Sequence, residues 1–268
     1  MTSEADYLAA LEDWRAKRLA ALKAPDGWLN LISRNWLTAG TATVGSAADN
    51  DIVLPVGPER LGTLTQHENG EADFAPADGS PPIHFTPSKA APPKALVSGL
   101  LLELTTINGD NALRIRDTHS AAPAALTGIE SFPVRPDYRV RAKWVAFEEP
   151  RGLTIDTSKA IRTDVQASHK AVFELEGQTF SLLATHGTPE APQFVFRDQT
   201  ARDATYGAGR FVYGEEVGDG TIIIDFNKAI NPPCAFTEHA VCPLPPPENI
   251  LPIRIEAGEK RLPDHLAH

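Results

Sequence analysis

Along this 268-residue chain, apolar positions recur at helical spacing in one stretch and at strand-like spacing nearly everywhere else. Tyr7, Leu8, Leu11, Trp14, Leu19 and Leu22 form a single apolar stripe, the mark of a helix with one buried face. Ser3, followed three residues on by Asp6, supplies a capping box at the start. Pro25 and Gly27 end the helix. With a Trp in it and no repeat partner elsewhere, the stripe is expected to pack on the body of the protein. Docking into a partner's groove is the alternative.

Beyond Gly27 the pattern is strand and turn. Residues 41–44, 51–54 and 60–64 are short β-like runs separated by Gly, Asn and Pro. Asn69-Gly70 and Asn108-Gly109 read as tight hairpin turns, the second joining 101–106 to 112–115. The stretch 78–93, rich in Pro, Ser and Ala, reads as a surface loop, and Phe132-Pro133-Val134-Arg135-Pro136 as a connection between two halves. Runs at 143–147 and 153–155 follow, then a hairpin. Its arms are Ala171, Val172, Phe173 and Leu175, and Phe180, Leu182 and Leu183, with Glu176-Gly177-Gln178 as the turn. Residues 193–197 and 221–225 add strands. The expected fold is mainly β: an N-terminal helix over 1–26, a β-sandwich-like half over 27–131, and a C-terminal half over 132–268 that forms an antiparallel β-barrel or sandwich. The 19 Gly and 23 Pro suit many short strands better than long helices.

Composition narrows the function classes. At 42% hydrophobic and 22% charged the chain has a core to build. A net charge of −10 and a pI near 5.3 argue against nucleic acid, whose phosphates want clustered Lys and Arg. Without a basic run, an anionic membrane surface is a poor match too. The acidic start, residues 1–13, does not read as a secretory signal, and no run reaches the roughly 18 apolar residues that span a bilayer. Two cysteines fit a reducing compartment, so a cytoplasmic location is expected. Oligomeric state is left open.

Gly40, Val44-Gly45-Ser46, Asn50-Asp51-Ile52-Val53-Leu54 and then Gly62 to His67 resemble the forkhead-associated pattern of phosphothreonine-binding modules. There a Gly-Arg precedes an Asn-Asp-Ile strand and a Ser-Arg-x-His loop. The Asn-Asp-Ile piece matches, but Ser46 stands where the Arg belongs and no Ser-Arg pair precedes His67. A guanidinium makes the charge-assisted bonds that a phosphate dianion needs. The likeness therefore implies a β-sandwich shape more than phosphopeptide recognition.

The densest polar cluster lies in the C-terminal third. It holds Phe196-Arg197-Asp198-Gln199-Thr200, Tyr206-Gly207-Ala208-Gly209-Arg210-Phe211, Asp225-Phe226-Asn227-Lys228, Asn231-Pro232-Pro233-Cys234-Ala235-Phe236 and Cys242-Pro243-Leu244-Pro245-Pro246-Pro247-Glu248-Asn249. These segments resemble the bacterial and archaeal family called domain of unknown function 1684. Gly27-Trp28-Leu29 and the Asn-Asp-Ile strand fit it as well, so the likeness extends over nearly the whole chain. It implies no activity.

The residues themselves suggest several roles. Gly207 and Gly209 lack the third glycine and following helix of a nucleotide loop, so a turn with positive φ is expected. Arg210 could clamp a carboxylate or phosphate, or pair with Asp198 or Asp225. Asp225 and Lys228 could act as base and amine at a sheet rim, or Asp225 and Asn227 could cap a turn. Cys234, His239 and Cys242 are a weak match to zinc spacing, and two small buried thiols are the plainer reading. The prolines from Pro232 to Pro252 fix an extended strap carrying Glu248 and Asn249. Three functions stay open. The favoured one is a small-molecule site of Tyr206, Arg210, Asp225, Asn227, Lys228, Asn231, Glu248 and Asn249, with no cofactor expected. The others are a hydrolase-type enzyme using Asp225, Lys228 or Glu248, and an interaction module built on the forkhead-associated-like half.

Overall fold

The N-terminal helix α1 spans Glu4–Lys23. Its capping box is formed as expected: the Asp6 N–H donates to Ser3 Oγ (3.1 Å), and Ser3 Oγ donates to the Asp6 carboxylate (2.7 Å). Leu11 and Leu22 of the stripe are buried, whereas Leu8 is exposed. The structure, a computed structural model, describes residues 3–263. Two compact units emerge, residues 14–126, and residues 127 onward together with the helix residues up to Asp13.

In the first unit the strands are β1 (Leu31–Trp36), β2 (Gly40–Gly45), β3 (Ile52–Val53), β4 (Gly62–Gln66), β5 (Ala72–Pro76), β6 (Ile83–Phe85), β7 (Lys94–Val97), β8 (Leu100–Ile107) and β9 (Asp110–Asp117). They form two sheets, ordered β1-β9-β8-β7 and β3-β2-β4-β5-β6. Val44, Leu64 and Phe74 from one sheet and Leu102, Leu113 and Ile115 from the other share one core, which is the predicted sandwich. Asn108 (φ 54°) and Gly109 (φ 92°) make the two-residue turn whose positive φ values match strand twist. Strand β6 lies inside the stretch read as loop. It pairs with β5 at the sheet edge and buries Phe85, while the flanking prolines, tolerated at an edge, conceal it. Strand β1 was not legible because Ser33, a polar residue, takes an inward position beside Leu31.

The second unit holds β10 (Arg139–Asp156), β11 (Arg162–Leu175), β12 (Gln178–Leu183), β13 (His186–Thr188), β14 (Ala191–Phe196), β15 (Arg210–Gly218) and β16 (Thr221–Asp225). They build one antiparallel sheet, β12-β11-β10-β16-β15-β14-β13. Its edges, β12 and β13, are not paired to each other, so the barrel alternative gives way to an open sheet. Glu176 (φ 50°) and Gly177 (φ 75°) turn the predicted hairpin, and Phe173 lies opposite Phe180 with ring centroids 6.0 Å apart. Strand β10 is longer than its two predicted pieces. Its pairing shifts register between Ala146 and Arg151, and the residues there face solvent with no apolar alternation to read.

What closes this unit is the chain after β16. Leu251, Ile253, Ile255 and Ala257 alternate inward, each less than 9% exposed, and join Phe173, Leu182, Phe194, Phe196, Ile222 and Ile224 in one core. The strap thus has strand-like alternation without belonging to a named strand. Burying a Leu or Ile side chain is worth about 1.5–3 kcal/mol, so this stretch is a main part of the core.

One glycine is sterically required where the strap meets the sheet. Gly209 has φ 106°, and a Cβ there would sit 2.6 Å from the Phe196 carbonyl oxygen. Gly209→Ala is expected to cost about 1–3 kcal/mol in urea unfolding, the scale of a strained backbone. Gly218→Ala, where a Cβ meets open space, should stay within about 0.5 kcal/mol, the usual range for a surface change.

Candidate functional site: an arginine-flanked cleft beside the buried pegs of the strap

The polar residues picked from the sequence resolve into separate hydrogen-bonded groups, most of them closed to solvent. Arg210 opens β15 and is 1% exposed. Its Nη2 donates to Asp198 Oδ1 (3.1 Å) and the Ile255 carbonyl (3.0 Å), and its Nη1 to the carbonyls of Ala257 and Glu259. Burial lowers its pKa and the Asp198 charge opposes the shift. Asp198 in turn accepts from the Ile255 N–H (2.7 Å) and the Thr200 hydroxyl. Nearby, Glu259 accepts from the Asn231 N–H (2.6 Å), and Asn231 Nδ2 donates to the Lys260 carbonyl. This first peg ties the end of the strap to the sheet.

A second peg is Asn249, fully buried: its Oδ1 accepts from the Leu183 N–H (2.7 Å) and its Nδ2 donates to the carbonyls of Leu183 and Val195. A side-chain amide here stands in for a strand's backbone. The third is Asp225, at the end of β16, which accepts from the Tyr7 hydroxyl (2.9 Å) and the Asn227 N–H (3.1 Å). Asn227 Nδ2 reaches the Arg135 carbonyl and its Oδ1 accepts the Arg135 N–H. Asp225 and Asn227 therefore do cap a turn, and they also anchor the first turn of α1. Burial raises the pKa of Asp225, while hydrogen bonds from Tyr7 and Asn227 resist the shift. Lys228 is engaged elsewhere, with Glu215 (2.5 Å), and Glu248 with Arg151 (3.4 Å). The three residues of the hydrolase reading thus have three different sets of partners.

Tyr206 donates to the Cys234 carbonyl (3.1 Å). Cys234 and Cys242 are buried thiols. His239 is near Glu238, and among the described residues no group of three or more His, Cys, Asp or Glu side chains could hold a metal ion. The Cys234–His239–Cys242 zinc alternative is therefore set aside.

An open site lies next to the first peg. A cleft of about 360 Å³ is lined by Arg197, Asp198, Gln199, Ala201, Arg202, Gly207, Ile250, Leu251 and Pro252. Its walls are held by backbone. The Arg197 N–H donates to the Asn249 carbonyl (3.0 Å), the Leu251 N–H to the Arg197 carbonyl (2.7 Å), and the Gln199 N–H to the Ile253 carbonyl (2.9 Å). Arg202 closes the 3-10 turn Gln199–Arg202, whose start Asp198 caps. Both arginines are exposed, and neither guanidinium has a hydrogen-bond or ion-pair partner among the described residues. Sequence reasoning quoted Arg197 within its cluster but did not select it, and passed over Arg202. Residue type gave no signal, since only the fold shows which arginine of this region is spent and which are open.

Residues 124–260 match the family described as Protein of unknown function (DUF1684). This chain belongs to the DUF1684 family. Among solved structures, it is similar to an uncharacterized protein of Haloarcula marismortui determined by solution NMR. Identity is 31%, over 52% of this chain and 79% of that one, with a TM-score of 0.43. No curated protein matches the chain. The DUF1684 match begins near the start of the second unit, so Gly27-Trp28-Leu29 and the Asn-Asp-Ile strand, read as part of the likeness, lie outside it. The forkhead-associated resemblance gains no support from these matches. In the first unit Ser46 Oγ donates to the Gly57 carbonyl, and Asn50 bonds the carbonyls of Ala47 and Glu59 and the guanidinium of Arg60. In this DUF1684 chain Arg210, Asn231, Asn249 and Asp225 all lie within the matched residues.

Two outcomes follow from the pegs. Arg210→Met strands Asp198 and is expected to cost about 3–5 kcal/mol, as for a broken buried pair. A stability unchanged in denaturant melts would show that Arg210 is not structural. For Asp225, a folded-state pKa above its ordinary 3.8 means that the native state holds the proton more tightly. Stability is then lost as pH rises from about 4 through the raised value, and stays lower above it. Asp225→Asn removes that dependence, so its stability relative to the parent should improve with pH across this window in urea melts at stepped pH. A flat difference would contradict the assignment.

Proposed function

We propose that the second unit is a binding module for a small anionic molecule. The ligand sits in the cleft with its carboxylate or phosphate between Arg197 and Arg202 and its apolar part on Ile250, Leu251 and Pro252. The observation that carries this reading is the pair of unpartnered guanidinium groups at one cleft of a chain with net charge −10. In so acidic a protein, carboxylates are abundant as partners, yet these two arginines have none among the described residues. Guanidinium is the side chain suited to bidentate capture of carboxylate and phosphate. The cleft volume falls within the roughly 300–1,000 Å³ of small-molecule sites.

The hydrolase reading gains no comparable observation. No His, Cys, Ser or Lys lines the cleft, and Asp198, its one acid, is committed to Arg210, Thr200 and Ile255.

Phenyl phosphate and inorganic phosphate serve as probes in calorimetry with the full chain. Phenyl phosphate is expected to bind more tightly than phosphate, because only it uses the apolar floor. Arg197→Gln and Arg202→Gln should each weaken it about tenfold or more, since a hydrogen bond to a charged group contributes about 1.5–3 kcal/mol. Rising salt should weaken it further. Binding that is indifferent to both substitutions would refute the site.

A further inference from the structure

Cys234 and Cys242 belong to no feature of the cleft, yet the fold brings them into contact. The Cys234 N–H donates to Cys242 Sγ at 3.2 Å. With an N–Cα bond of about 1.46 Å, this holds the Cys234 Cα within about 4.7 Å of the other sulfur. The Tyr206 hydroxyl donates to the Cys234 carbonyl (3.1 Å) on the other side. Both ends of the loop between them are fixed. Pro232 and Pro233 precede Cys234 in a 3-10 turn. On the far side, the Ser158 N–H donates to the Cys242 carbonyl (2.8 Å), and the Cys242 N–H donates to Ser158 Oγ (3.1 Å).

We infer that Cys234 and Cys242 form a peroxide-reactive dithiol, with Cys234 as the attacking and Cys242 as the resolving residue. In the first step the Cys234 thiolate attacks a hydroperoxide oxygen. A sulfur–oxygen bond forms, the O–O bond breaks, and the leaving oxygen takes a proton, giving Cys234 sulfenic acid and an alcohol or water. In the second step Cys242 Sγ attacks the Cys234 sulfur. The disulfide forms, the sulfur–oxygen bond breaks, and water departs with the Cys242 proton. The two thiols together lose two electrons and the hydroperoxide gains them.

Two features assign the roles. The neighbouring side chains of Cys242, Tyr206 and Ser158 draw the Cys234 thiol down to about 7 against the opposing effect of burial. The thiolate is the nucleophilic form, and Cys242 is already placed beside it. Both cysteines are nearly closed to solvent, at 6% and 3% exposure, which favours a small hydroperoxide over a bulky protein disulfide as the oxidant. In the disulfide, the N–H···S contact is replaced by a covalent link across a loop that begins beside the Tyr206 anchor.

The test uses the native full chain, treated with hydrogen peroxide, quenched, denatured and alkylated. Expected is the loss of both alkylatable thiols, a mass lower by two hydrogens, and a peptide cross-linked through Cys234 and Cys242 that dithiothreitol reverses. In Cys242→Ser, dimedone should label Cys234, whereas Cys234→Ser should leave Cys242 unlabelled. Two thiols still alkylatable after treatment would overturn the assignment, as would over-oxidation of either cysteine without a cross-link or a disulfide between chains. The parent protein alone decides this, whether or not the variants fold.

Discussion

The second unit depends on one buried ion pair, Arg210 with Asp198. Two opposite charges removed from water recover their desolvation cost only where further hydrogen bonds take up the positions the pair leaves over. Here the two Nη groups of Arg210 donate to the carbonyls of Ile255, Ala257 and Glu259, and Asp198 accepts from Thr200 and the Ile255 N–H, while the buried Arg210 Nε has no hydrogen-bond partner among the described residues. The pair therefore selects one path for the strap, with Ile255 and Ala257 placed against Phe194, Phe196 and Ile224. An apolar pair of similar size could fill the space, but it would not bond those carbonyls.

The same economy explains the cleft. Asp198 is paired with Arg210 and makes no ion pair with Arg197 or Arg202 among the described residues. Because Asn249 holds the strap to β12 and β14 through Leu183 and Val195, the backbone at Arg197 and Ile250 is bridged in parallel and the walls are set without any ligand. Preorganisation of this kind lowers the entropy lost on binding. Of the polar residues that seemed the best site candidates, Arg210 and Asn249 hold residues that line the cleft, through Asp198 and the Arg197 N–H, while Asp225, Asn227, Lys228 and Tyr206 bond elsewhere.

Part of this was legible in the sequence. The capping box at Ser3 and Asp6, the hairpin at Glu176-Gly177, and the Asn108-Gly109 turn were readable because each is a local rule in which a few adjacent residues fix the backbone. Strands β1, β6, β7 and β15 were not, since their burial patterns are interrupted by Ser33, by prolines, or by a glycine-rich approach. Cys234 and Cys242 were read as two small buried thiols, which they are, but their contact with each other came from the folded loop.

The sequence by itself determined the β character, the helix and the region in which the unusual polar residues gather, because propensity and alternation act over short distances; the proline-rich stretch expected to be extended instead holds 3-10 turns at Pro233–Ala235 and Pro247–Asn249. Which of those residues are spent and which are open was decided only by tertiary structure. Arg197, Arg202 and Arg210 have the same side chain within one short segment. Their roles differ because folding encloses one guanidinium among carbonyls that lie 45 to 49 positions further along the chain and leaves the other two facing solvent.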